Sequence, residues 1–97
     1  MAGIIRLNEE GLTRASSDLR NRAEEFNQWI QSTQAVINSL PDSWEGAAAE
    51  SFIQQFAELK PSFQKGVELT QTIAQQIDQT LQAAQELDSS IAGQYRG

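Results

Sequence analysis

The chain has neither cysteine nor histidine among its 97 residues. Disulfides, thiol nucleophiles, the usual zinc ligands and the commonest general base are therefore excluded together. Proline is scarce, with two residues, and aromatics make up 7%. Basic residues are few: seven Lys and Arg against thirteen Asp and Glu, a net charge of −6. They are scattered, so the cationic surface that phosphate recognition needs is missing, and nucleic acid is not an expected partner. No apolar run approaches the roughly 20 residues of a membrane span. Met1 to Leu7 holds no apolar core of signal-peptide length, so export by the general secretory route with a cleaved leader is not expected. No Ser/His/Asp, metal-ligand or phosphate-loop arrangement is present, so neither enzymatic activity nor a cofactor is expected.

What remains is helical pattern. Asn8 is a candidate N-cap, with Glu9 and Glu10 placed to complement the helix dipole. Leu12, Leu19, Phe26 and Leu40 fall on one heptad position, Thr33 being the polar exception, and Ala15, Ala23, Ile30 and Ile37 follow three or four residues behind them. A first helix over about 8–40 is predicted, with Pro41 pushing Leu40 out of the helical region and Asp42 or Ser43 capping the next helix. A turn over 41–46 leads to a second helix over about 47–92. Its seam reads Phe52, Phe56, Leu59, Phe63, Thr70, Ile73, Ile77, Ala84, Leu87 and Ile91, with Gly66 and Thr80 as low-bulk members. The register continues across Pro61, so a bend is expected there rather than a break. Phe26, Trp29, Phe56 and Phe63 are read as core. Gln71, Gln75, Gln79 and Gln82 occupy the opposite, solvated face.

The predicted fold is all-α: one antiparallel helix-turn-helix hairpin. Two helices alone leave much of an apolar stripe wet, and a homodimer closing a four-helix bundle is the expected remedy. Both helices are amphipathic, but their polar faces are glutamine-rich and acidic, so stable membrane insertion is not expected.

Trp44-Glu45-Gly46 stands at the hinge. A tryptophan in a turn is costly unless covered, and it is expected to cap the bundle end against Phe52 while showing its other face to a partner. Gly46 is expected because it starts the second helix and because a side chain there would crowd Trp44.

On these residues the chain resembles the WXG family: helical hairpins of about 100 residues that are substrates of bacterial type VII (ESX-like) secretion systems. The stretch from Trp44-Glu45-Gly46 through Phe52, Phe56, Leu59 and Pro61 resembles the Firmicutes branch in particular. The resemblance implies a homodimer made in the cytoplasm, exported folded without a cleaved signal peptide, and acting as a virulence-associated effector or co-secreted adaptor. It implies reading by an FtsK/SpoIIIE-type ATPase, with other type VII substrates as further partners. It also implies a composite export signal, built from the turn tryptophan of one subunit and a C-terminal helical motif of its partner. The mycobacterial form of that motif is Tyr-x-x-x-Asp/Glu; here Ala84 stands four residues before Asp88 where the tyrosine would be. The broader pattern of hydrophobic residues around an acid is met by Ala84, Asp88, Ile91 and Tyr95. The expected recognition residues are therefore Trp44, Gly46, Asp88, Ile91 and Tyr95. The alternative is a cytosolic helical adaptor or chaperone pairing with a larger type VII substrate, since Thr33, Gly66 and Thr80 leave room in the seam for a different helix pair.

Overall fold

The computed structural model describes the backbone of residues 7–96 and the side-chain surroundings of residues 7–87. Three helices follow one another: α1 (Glu9–Asn38), the single turn α2 (Leu40–Ser43) and α3 (Ala47–Arg96). The rod they form measures 77 × 21 × 20 Å.

α1 starts where its cap allows. The Asn8 side chain accepts a hydrogen bond from Gly11 N at 2.9 Å, satisfying a donor that the helix cannot. α1 stops at Asn38, short of the expected boundary. Ser39 closes it, donating from its backbone to Ala35 and from its hydroxyl to Val36 O at 2.6 Å. Leu40 is not expelled from helical geometry by Pro41; it opens α2, where Pro41 sits at a first-turn position with no N–H partner to lose. Asp42 and Ser43 belong to α2 rather than capping α3. α3 runs unbroken through Pro61.

α1 and α3 pack antiparallel. Ser16 reaches Ala74 and Asp78, Phe26 covers Gly66, and Gln34 accepts from Lys60 Nζ at 2.7 Å. The numbers in each of these pairs add to between 90 and 94, as antiparallel packing requires. The buried stripe of α1 is Ser16, Ala23 and Ile30, with Ile37 half-buried. Ser16, not Ala15, takes the core position, because its hydroxyl finds polar partners on α3. The stripe of α3 facing α1 combines Ala49, Phe56, Phe63, Thr70, Ile77 and Ala84 with Ile53, Lys60, Val67, Ala74 and Leu81. Ala49, Phe56, Val67, Ala74 and Leu81 are the most buried of these.

Here the structure corrects the predicted seam. Phe52, Leu59, Ile73 and Leu87 do not face α1; they are exposed. They lie one heptad position further round, on a stripe that also carries Gly66 and Thr80. Trp29 is likewise exposed rather than core: it lies outward of Phe26 and meets Phe63 edge-on at 5.4 Å.

The two sides of the hairpin therefore differ in chemistry. On one side the α1 stripe Leu12, Leu19, Phe26 and Thr33 adjoins the outer α3 stripe, joined where Phe26 crosses Gly66. On the other, Arg20 Nη1 donates to Ser16 Oγ (2.6 Å), Ser16 Oγ donates to Asp78 Oδ1 (2.5 Å), and Arg20 Nη2 pairs with Asp78 Oδ2. Arg20 first, and Ser16 second, hold the Asp78 carboxyl below its ordinary value. This polar side fixes the helix register; the apolar side is left unpartnered.

Candidate functional site

The hairpin tip is built by backbone geometry. Trp44 N donates to Leu40 O at 2.9 Å, closing α2. Trp44 itself is extended, at φ −146° and ψ 104°. Gly46 then takes φ +114°, the sole positive φ among the described residues. An L-residue is strained there, whereas glycine is not. A Cβ at Gly46 would meet nothing within 4 Å. The glycine is thus required by the turn that launches α3, not by crowding against Trp44.

Released in this way, the Trp44 ring folds back onto Phe52, with centroids 5.5 Å apart and planes tilted by 44°. The two rings form one wall of an open groove of about 390 Å³, completed by Ile37, Leu40, Gln55, Phe56 and Leu59. Trp44, Phe52 and Leu59 remain 44%, 45% and 47% exposed. Gln55 supplies the groove's amide; every other lining side chain is apolar or aromatic. No lining side chain can transfer a proton at neutral pH, and an apolar side chain docked there would remove water from three large hydrophobic groups. The chemistry on offer is recognition by contact.

Trp44 and Gly46 are brought together at this tip. Asp88, Ile91 and Tyr95 fall on the last turns of α3, and their side chains lie outside the described residues. Asp88 lies 41 residue steps along α3 from Ala47, about 60 Å at 1.5 Å per residue. One chain therefore cannot bring its own Trp44 to its own Asp88. Besides Phe52, the tip draws on Leu40 and Leu59, which heptad spacing by itself assigns to the inner seam. The signal that places Leu59 here is its seven-residue spacing from Phe52.

Comparison with known proteins bears on this site. The WXG100 family model, described as proteins of 100 residues with WXG, matches residues 4–89. The chain is 37% identical over 97 residues to Protein YukE of Bacillus subtilis strain 168, covering 100% of both chains. It is 25% identical over 92 residues to the type VII secretion system extracellular protein A of Staphylococcus aureus strain USA300, covering 95% of each. Among solved structures it is similar to EsxA of Geobacillus thermodenitrificans (crystal form I). That match has a TM-score of 0.83 at 32% identity, over 94% of this chain and 100% of the other.

Proposed function

This chain belongs to the WXG100 family, and from that premise we propose that it is a type VII secretion substrate, exported as a folded homodimer. Trp44 and Gly46 form half of its export signal. The other half is the α3 arm carrying Asp88, Ile91 and Tyr95, contributed by the partner subunit. An FtsK/SpoIIIE-type ATPase reads the two together, and the exported dimer acts outside the cell as an effector or travels with other type VII substrates.

The observation that carries this reading is Trp44, held half-exposed over an apolar groove at the tip. Trp44 stacks on Phe52 and still lines an open apolar groove that a partner's side chain could fill. The unpartnered apolar side of the hairpin supports the dimer, and the long span of α3 supports a signal shared between two subunits, since neither end of a single chain can reach the other.

The test is Trp44→Ala in a host carrying the matching secretion machinery. Loss of the protein from the medium, with an unchanged helical circular-dichroism spectrum and dimer mass inside the cell, supports the reading. Undiminished secretion of the folded dimer refutes it. A monomer of the parent protein at micromolar concentration would instead favour the adaptor that needs a different helical partner.

A further inference from the structure

We propose that the groove at the hairpin tip takes an apolar side chain from a protein segment that carries lysine or arginine beside it. The proposal rests on the export-signal reading above and names the chemistry of the surface that reads Trp44.

Charge is spread unevenly along this chain. From Gln34 to Leu59 there are four acids, Asp42, Glu45, Glu50 and Glu58, and no lysine or arginine. That stretch is the closed end of the hairpin, marked off by the hydrogen bond from Lys60 to Gln34. Four of the six net negative charges thus lie in 26 of the 97 residues, and the rest of the chain carries seven basic residues against nine acidic. All four acids are exposed. The ion pairs among the described residues, Arg20–Asp78 and Arg22–Glu25, lie elsewhere.

Three of these acids adjoin groove residues in sequence. Asp42 and Glu45 bracket Trp44, and Glu58 precedes Leu59. Glu50 lies further round α3, on the stripe that leads to Asp78. Lys60, the first base of α3, is thirteen steps beyond Ala47, about 20 Å along the helix. That exceeds the screening length of about 8 Å at physiological salt, so no cation of α3 offsets the charge beside Trp44. Helix dipoles account for Asp42 and Glu50, which stand in the first turns of α2 and α3. Glu45 and Glu58 stand in neither.

The groove's lining sets what it buries, and the acids beside it set which ligands can approach. An anionic lipid surface, a nucleic-acid backbone or the tip of a second copy would each bring negative charge towards Asp42, Glu45 and Glu58, and each is repelled. A segment with an apolar side chain between basic ones gains twice, by burial in the groove and by attraction at its border. The half-exposed Trp44 ring adds a face over which an arginine or lysine can lie. The Gln55 amide is placed to pair with the backbone of the docked segment.

The test uses the full-length homodimer carrying Trp29→Phe, which leaves Trp44 as its one tryptophan, and the cytoplasmic region of the type VII ATPase of an exporting host as the probe. Binding should shift Trp44 emission to the blue and weaken about tenfold between about 0.05 and 0.5 M NaCl. Asp42→Asn/Glu45→Gln/Glu58→Gln should bind about tenfold more weakly at low salt, through a slower on-rate, and lose most of the salt dependence. Glu24→Gln/Glu25→Gln/Glu68→Gln removes the same charge from the middle of the hairpin and should behave as the parent. Equal salt dependence in the tip variant and the parent overturns the proposal. So does a Trp44 already shielded from acrylamide in the free dimer and unmoved by the ATPase, which assigns the groove to the partner subunit's arm. Tighter binding to phosphatidylglycerol vesicles than to the ATPase assigns it to a membrane and overturns the proposal as well. Export separates this proposal from the reading beneath it. Full export of the tip variant beside an unexported Trp44→Ala overturns the charge requirement and leaves the export signal standing. Full export of both, as folded dimers, overturns both.

Discussion

Phe26 lies directly over Gly66, with Cε2 3.2 Å from the position a Cβ would occupy. This contact is where the apolar flank of α1 settles onto α3. A glycine in mid-helix costs about 1 kcal/mol against alanine, and the close approach of a phenylalanine ring offsets that cost. Phe26 also sits 5.7 Å from Trp29 and 6.2 Å from Phe63, so its freedom to tilt away is limited. Gly66→Leu should lower unfolding stability by about 1–3 kcal/mol through overpacking. Gly66→Ala should stay within about 1 kcal/mol of the parent, since gained helix propensity and a tight methyl act in opposite senses. Urea denaturation of both variants checks the pair. Equal, large losses would mean that the ring cannot yield at all.

Gly46 makes a different demand, on conformation alone. Space around it is open and φ is +114°. Gly46→Ala should cost about 1–2 kcal/mol, measured by urea denaturation. If crowding of Trp44 were the reason for the glycine, a larger residue would cost much more than alanine. The open space predicts that Gly46→Leu and Gly46→Ala differ little.

The Ser16–Arg20–Asp78 cluster predicts an acid limb in the stability profile. Asp78 is held below its ordinary value of 3.8, by Arg20 foremost and Ser16 next. A carboxylate depressed in the folded state stabilises it fully above the unfolded value, and that contribution is lost as pH falls through the folded one. Asp78→Asn should therefore be less stable than the parent at about pH 7, and the gap should close towards about pH 2. Parallel denaturant titrations of the two proteins across this range provide the check. A gap independent of pH would assign the effect of the substitution to packing.

Much of the fold is legible in the sequence because helical period is strong evidence. The hairpin, the N-cap at Asn8 and the stripe through Phe56, Phe63, Thr70, Ile77 and Ala84 follow from spacing alone. What spacing cannot decide is which neighbouring stripe turns inward. α3 carries three adjacent apolar stripes. The one containing Lys60 looks the least core-like, yet it packs on α1 because the lysine amine reaches Gln34 at the edge of the seam. The outer stripe, with Phe52, Leu59, Ile73 and Leu87, looks more apolar and faces away. Ser16 is illegible for a related reason: a serine enters the core only when a partner accepts its proton, and Asp78 is 62 residues distant. At the tip, Trp44 and its contact with Phe52 are readable from the motif. The groove beneath them needs the position of Leu40, which depends on α1 ending at Asn38 with Ser39 as its cap.

The central claim is that one subunit's Trp44 and the other's α3 arm make a single export signal. Co-expression of two defective chains tests it most directly: one carrying Trp44→Ala, the other ending at Leu87. Alone, each forms dimers with no complete junction. Together, a mixed dimer has one complete junction, pairing the intact Trp44 of the shortened chain with the intact arm of the other. The account predicts that neither chain is exported alone and that both appear in the medium when co-expressed. Export of either variant by itself, or no export from a mixed dimer verified in the cell, would contradict it.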